Sequence, residues 1–291
     1  MAKILILGAR SFVGTGLADS LRGEHHVTLF SRGVEQKTDN TIYGDYMALE
    51  GNPFFAAVYD AVINFAILKD QSLEDNLRYA KAVIDFCNTH HVKKLIHFSS
   101  MMVYNYDEKE VNERTPIEKL TETYMRGYGE IKVAVDEYLL QHRDELSAEL
   151  VLVRPGYVLA DNRPCPFIIN LPLGVRVIKG DKRSRQPVVI REDIHKAIAS
   201  IIDIEKNDPV YHFFPSDNMT KYQYAKNTVG GLILTMPEWL FERIPYAFAK
   251  LHIIKWSLYL RFQGMYIYSD FQSVRTEQKL NIHFKSIARC V

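Results

Sequence analysis

Lys3-Ile4-Leu5-Ile6-Leu7-Gly8-Ala9-Arg10-Ser11-Phe12-Val13-Gly14 is the stretch on which the reading of this chain turns. Its apolar run stops at Gly8, and through Thr15-Gly16-Leu17-Ala18-Asp19-Ser20-Leu21 the apolar spacing becomes that of a helix. The pattern predicts a strand, a tight turn and a helix. Such a turn presents backbone N–H groups at a helix N-terminus, where the helix dipole favours a phosphate. Gly8 lets the chain turn, and Gly14 lets helix and strand approach closely. The spacing is Gly8-x-x-Ser11-x-x-Gly14, not the G-x-G-x-x-G of the general fingerprint. Serine at the middle position needs no positive φ and brings a hydroxyl able to donate to phosphate. Gly8, Arg10, Ser11, Phe12, Val13 and Gly14 are therefore expected to cradle a dinucleotide; an ordinary strand-to-helix turn is the competing reading.

Strand and helix signals then alternate, as in a parallel sheet with helices on both faces. His26–Phe30 reads as a second strand, ending at Ser31-Arg32-Gly33. In a dinucleotide-binding fold that end meets the adenosine ribose, where a carboxylate would bond the 2′-hydroxyl and an arginine would accommodate a 2′-phosphate. Ser31, Arg32 and the nearby Arg10 supply two guanidiniums and no carboxylate, which favours NADP(H) over NAD; solvated surface arginines are the alternative. Ile42–Asp45 reads as a third strand, with Asp45 a candidate for the adenine amino group or a plain loop carboxylate. Asp60–Ala66 reads as a fourth, whose last residues Phe65 and Ala66 would pass the cofactor. Ser72 and Asp75 resemble a capping box opening a helix through Asn76, Leu77, Ala80, Val83, Ile84 and Phe86.

Lys94–Ser100 reads as the fifth strand, with Ser99 and Ser100 at its carboxyl end, where open α/β sheets bind ligands. Further on stands Tyr128-Gly129-Glu130-Ile131-Lys132. Residues four apart share a helix face, so the Lys132 ammonium would lie near the Tyr128 phenol and favour its phenolate. Tyr128 would then serve as a general acid or base. Tyr222 with Lys226 and Tyr246 with Lys250 repeat the spacing, but both lie beyond the last strand of the expected sheet.

With 291 residues the chain suffices for one large domain or a domain with an appendage. Lys and Arg number 36 against 35 Asp and Glu, a balance that gives no support for wholesale binding to nucleic acid or acidic membranes. Cys87, Cys165 and Cys290 are far apart and in no metal-ligand spacing, which suits reduced cytoplasmic thiols and no metal. A strand already begun by Lys3 predicts no signal peptide, and no apolar run reaches the ~20 residues of a membrane span.

Taken together, the Gly8–Gly14 turn, Asp60–Ala66, the helix opening at Asn76, Ser99–Tyr104, Tyr128–Lys132, Val153-Arg154-Pro155-Gly156 and Val188–Ile194 resemble, in order, the extended short-chain dehydrogenases/reductases. The resemblance is to their NAD(P)-dependent epimerase/dehydratase group, which mostly modifies nucleotide-linked sugars. It implies a doubly wound Rossmann sheet over 1–160, with 186–204 returning to it. A smaller, mainly helical substrate lobe would comprise 161–185 and 205–291. It implies that Tyr128 exchanges a proton with the substrate, that Lys132 holds the nicotinamide ribose, and that Ser100 bonds the same substrate oxygen. Pro155 would border the cofactor, and Met101 and Tyr157 the substrate. Family members that dehydrate sugars at positions 4 and 6 carry an acidic pair where this chain has Met101 and Met102, which disfavours a dehydratase. Tyr157 replaces an asparagine that touches the sugar-nucleotide diphosphate in 4-epimerases. Arg183 and Arg185 could clamp that diphosphate instead, or form a solvated cluster. A nucleotide-sugar reductase thus stands beside a 4-epimerase with retained NAD, and a non-catalytic dinucleotide sensor is the rival of another class. A homodimer remains open.

From Tyr222 onward the chain is rich in aromatic residues: Trp239, Phe241, Tyr246, Phe248, Trp256, Tyr259, Phe262, Tyr266 and Tyr268. The expectation is that they fill a lobe core or line a pocket. Lys250, Lys255 and Arg261 leave an interfacial membrane helix or a dimer face as the alternative.

Overall fold

Strand β1 (Lys3–Leu7) is apolar on both faces, and Ile4, Leu5, Ile6 and Leu7 are all fully buried. A strand of that kind belongs inside a parallel sheet covered on both sides. The computed structural model describes residues 1–56, 58–105, 108–117, 127–160, 165–228 and 231–286; Cys290 lies outside them. The chain forms two units. The first comprises Met1–Ser100, Ile131–Arg154 and Ile194–Tyr211; the second comprises Met101–Glu130, Pro155–Asp193 and His212–Val291.

The first unit is built on β1, β2 (His26–Arg32), β3 (Gln36–Thr38), β4 (Thr41–Gly44), β5 (Ala61–Asn64), β6 (Lys94–Phe98) and the strand Glu149–Pro155. From one edge the order is Val210–Phe213, Glu149–Pro155, β6, β5, β1, β2, β4, β3. Neighbours from Glu149–Pro155 to β4 pair in parallel, with Leu5 opposite both Thr28 and Val62. The chain winds outward from β1 in both directions, so the strand order reverses between β1 and β5, the position where such sheets bind ligands. The expected strands stand. β3 was not legible in advance, because Gln36, Lys37 and Thr38 are polar and exposed; it adds an antiparallel edge to β4.

Helix α1 (Leu17–Leu21) is shorter and later than expected: Gly16, at φ +85°, holds regular helix off until Leu17. In α2 (Leu73–Thr89) the Ser72–Asp75 capping box forms as read, and Asn76, Tyr79, Ala80, Val83, Ile84 and Phe86 turn inward. Leu5, Val62, Val83, Phe86, Leu95 and Leu139 join one core, each such side chain contributing roughly 1.5–3 kcal/mol by leaving water.

The second unit contains a three-stranded sheet of Ile168–Asn170, Val175–Ile178 and Leu232–Thr235, and a parallel pair of Tyr157–Leu159 with Val188–Ile190. Its core gathers Phe167, Ile178, Val188, Tyr224 and Ala225. The expected burial of the C-terminal aromatics holds for Tyr259 and Tyr266 and fails for Trp239, Tyr246 and Phe248, which are exposed. Among the described residues no helix is long and apolar enough to cross a membrane.

Candidate functional site

In the first unit the turn after β1 is closed by its own atoms. The Ser11 N–H donates to the Gly8 carbonyl at 2.8 Å, and the Gly14 N–H donates to Ser11 Oγ at 3.0 Å. Serine thus replaces a glycine by capping the turn with its lone pair, leaving its hydroxyl proton to donate elsewhere. Gly8 has φ +78°, and a Cβ there would lie 2.9 Å from the Ala66 backbone nitrogen; only glycine fits both constraints. With α1 beginning at Leu17, the outward amides belong to an irregular turn and not to a regular helix start. A residue that the sequence did not flag supports this turn: His195 Nε2 lies 3.1 Å from the Val13 carbonyl oxygen.

Tyr46 gathers the cationic end of the first unit. Burial pushes its phenol up, while a backbone bond from Gly8 and the charges of Arg32 and Arg10 pull it down. Arg10 and Arg32, far apart in sequence, therefore act on one phenol, and both are exposed. Ser31 is half-buried opposite Tyr43. Asp45 is committed locally, its Oδ1 accepting from the Met47 N–H at 2.9 Å. Phe65 and Ala66 follow β5, the Phe65 ring 4.2 Å from that of Phe98.

The two serines after β6 differ in kind. Ser99 is buried and donates to Asp136 Oδ2 at 2.7 Å, and the same oxygen accepts from Arg154 Nε and NH2. This buried triad, invisible in the motif spacing, fixes the strand end and leaves Ser100 as the half-buried hydroxyl of the pair. Lys132 is buried and donates to the Phe98 carbonyl; desolvation lowers its pKa to about 8 even with Asp136 near. Lys132 also lines a small cavity with His97, Asn64, Asn76 and Tyr79. Asn76 works as a clamp: its Oδ1 accepts from the Leu68 N–H at 2.9 Å, and its Nδ2 donates to the Leu68 and Ser72 carbonyls.

Tyr128 is the first residue of α3 (Tyr128–Gln141), with Lys132 one helical turn along the same element. Tyr128 and Met101 belong to the second unit, Ser100 and Lys132 to the first. Met101 is buried, and Tyr157 is half-buried with its N–H on the Pro187 carbonyl at 2.8 Å. Pro155 ends its strand. Both arginines of the basic run have carboxylate partners. Arg183 pairs with Asp181 and Glu238 over the Tyr268 ring, and Arg185 with Asp270 at 3.0 Å. Of the two, only Arg185 lines the cavity formed with Phe167, Val188, Phe214 and Tyr224. Lys221, unread in the sequence, lines it too; burial lowers its pKa to about 7. Burial also raises the thiols of Cys87 and Cys165, the latter to about 11, so neither is primed as a thiolate. Among the described residues no group of His, Cys, Asp or Glu is placed to hold a metal.

A parallel sheet with reversed strand order and a glycine-cradled turn at the reversal define a Rossmann-type α/β protein. The family model of the NAD dependent epimerase/dehydratase family matches residues 4–198, and the chain belongs to that family. Among solved structures it is similar to the human epimerase family protein SDR39U1 (isoform 2) with NADPH, at 16% identity and TM-score 0.69, covering 98% of this chain and 96% of that one. It is similar to UDP-N-acetylglucosamine 4-epimerase from Bacillus cereus, at 14% and 0.66, covering 99% and 96%. UDP-glucuronic acid 4-epimerase from Bacillus cereus, in complex with UDP-glucuronic acid and NAD, gives 13% and 0.64, covering 98% and 95%. Likenesses at this identity define the fold. Comparison with curated protein sequences finds no match.

Proposed function

We propose that the chain is an NAD(P)-dependent oxidoreductase of nucleotide-linked sugars or similar polar carbinols and ketones, acting as a reductase. The observation that carries the reading is the placement of Tyr128 and Lys132 one turn apart on α3, in a chain of this family. Support for a dinucleotide in the first unit is the tight turn at Gly8, where any side chain would collide with the Ala66 backbone. The end of β2 offers Ser31 and Arg32, with no carboxylate, and Arg10 shares the neighbourhood of Tyr46. Two guanidiniums there favour a 2′-phosphate and hence NADP(H), the cofactor a reductase consumes. When bound, the nicotinamide supplies or accepts the hydride.

Tyr128 gives a proton to, or takes one from, the substrate oxygen. Lys132, whose lowered pKa of about 8 still leaves it cationic at neutral pH, holds the ribose and favours the Tyr128 phenolate. Ser100 donates to the same substrate oxygen. Met101 and Met102 have thioethers that cannot move protons, so elimination of water is disfavoured. In the second unit Arg185, which lines the cavity there although paired with Asp270, and Tyr157 take the nucleotide sugar, whereas Arg183 is already held by Asp181 and Glu238. The chain's likeness to two 4-epimerases favours a second reading, epimerisation through a retained NAD.

Mass spectrometry of nucleotide carried through purification separates these readings. Uptake of NADPH by an initially empty protein supports the reductase, and tightly held NAD supports the epimerase. Tyr128→Phe should bind the dinucleotide normally and lose roughly 10²–10⁴ in turnover. Turnover at the wild-type rate would remove Tyr128 from the mechanism.

A further inference from the structure

In the second unit a π-helical turn, Trp239–Arg243, runs straight into the helix Ile244–Lys250, and a short loop leads to the helix Trp256–Gln263. An amphipathic helix ordinarily turns its apolar stripe to the core. Here the stripe faces solvent. Ile244, Phe248 and Leu251 recur at i, i+4 and i+7 and are all exposed, as is Leu240 one turn earlier. Trp239, Leu251 and Ile253 are 60%, 69% and 64% exposed. Inward, Phe241 is half-buried, Ala249 packs with Tyr259, Leu260, Ile254 and Trp256, and Glu242 accepts from the Tyr259 hydroxyl at 2.9 Å.

Charge is sorted in the same sense. Between 231 and 269 the only carboxylates are Glu238 and Glu242. Both are half-buried and occupied, Glu238 by Tyr268 and Arg183, Glu242 by Tyr259. Arg243, Lys250, Lys255 and Arg261 are exposed. Lys250 and Lys255 bracket the loop tip Leu251–Ile254, apolar except for His252, and the Lys250 Nζ sits 5.5 Å from the ring centres of both Tyr246 and Trp256. An outward face of Trp, Phe, Leu and Ile, edged by cations, with the segment's own two carboxylates held by Tyr268, Arg183 and Tyr259, matches the boundary of an anionic bilayer. Apolar side chains enter the acyl region there, while lysines and aromatic rings stay at the headgroups.

We infer that the segment 238–263 is a peripheral membrane anchor that seats on anionic phospholipid, with Leu251 and Ile253 as the inserted tip.

The chain's two tryptophans, Trp239 and Trp256, both lie in this segment, so intrinsic fluorescence reports it directly. Full-length protein should show a blue shift and co-sediment with vesicles of phosphatidylcholine containing about 30% phosphatidylglycerol, and far less with phosphatidylcholine alone. Leu251→Glu/Ile253→Glu should reduce partitioning by roughly tenfold or more with an unchanged melting temperature, since both side chains are exposed. Lys250→Glu/Lys255→Glu should abolish the preference for phosphatidylglycerol. Tyr128→Phe should bind vesicles like the wild type, which separates this inference from the enzymatic reading. Absence of any shift or sedimentation overturns the anchor, as does binding retained by the Leu251/Ile253 variant. A solution dimer that this variant dissociates, without vesicle binding, would reassign the face to a second copy of the chain.

Discussion

Ser99 donates its hydroxyl to Asp136 across 2.7 Å of buried space, and the accepting oxygen also neutralises Arg154. One carboxylate therefore ties the end of β6 to α3 and to the strand Glu149–Pro155. Ser99→Ala removes one donor and should lower stability by about 1–2 kcal/mol in a denaturant titration, with turnover close to wild type. Asp136→Asn leaves the Arg154 guanidinium buried without its anion and should cost roughly 3–5 kcal/mol. Ser100→Ala, by contrast, should lose turnover. Equal turnover losses in the two serine variants would contradict this division of roles.

Lys132 carries a pH signature. Its pKa falls from 10.5 to about 8 because burial disfavours the ammonium. The unfolded chain then holds this proton over a window, about pH 8 to 10.5, in which the folded chain does not, so this lysine's contribution to stability rises with pH there. At neutral pH the fall amounts to a penalty of roughly 3 kcal/mol. Lys132→Met should accordingly melt no lower than wild type at pH 7 while losing turnover. In the wild type, kcat/KM should decline as the pH rises through about 8 and the ribose-holding cation is lost. A flat profile from pH 7 to 9 would exclude that role.

Arg10 and Arg32 act on the same Tyr46 phenol. Arg32→Ala should weaken NADPH roughly tenfold in a direct binding titration and leave NADH nearly unchanged, because only NADPH carries the 2′-phosphate. Equal weakening of both would mean that Arg32 reads no 2′-phosphate.

The parallel sheet was legible because its strands are bounded apolar runs, and the first turn because Gly8 sits at a backbone contact that no side chain tolerates. The α2 capping box was legible because it is local. What escaped is what long-range packing decides. Asp136, His97 and Lys221 are polar residues in ordinary helical or strand positions, and nothing in their neighbours announces burial. The exposed stripe of Ile244, Phe248 and Leu251 escaped for the opposite reason: apolar spacing shows that a helix has a face and not which side of it meets the protein. The basic run at Arg183 and Arg185 likewise showed charge without showing that Asp181, Glu238 and Asp270 answer it.

His97 yields a prediction from its hydrogen bonds and its burial together. Asn64 Oδ1 accepts from the Ala66 N–H at 3.0 Å and from the Tyr79 hydroxyl at 2.8 Å, so the Asn64 amide nitrogen is the atom turned to His97 Nδ1, at 3.2 Å. Nδ1 must then accept. Burial, with the Lys132 charge as a second cause, lowers the His97 pKa well below 6.5, so the ring stays neutral and Nε2 bears the hydrogen. Once the pH drops below about 6.5 the unfolded imidazole takes up a proton that the folded one refuses, and the wild type loses up to roughly 1.4 kcal/mol per pH unit from this source. His97→Gln has no such proton to take up. Across melts from pH 7 to 5, the stability difference between wild type and His97→Gln should therefore move in favour of the variant as the pH falls. Parallel curves would mean that His97 is protonated in the folded chain, and the Asn64 orientation would have to be reversed.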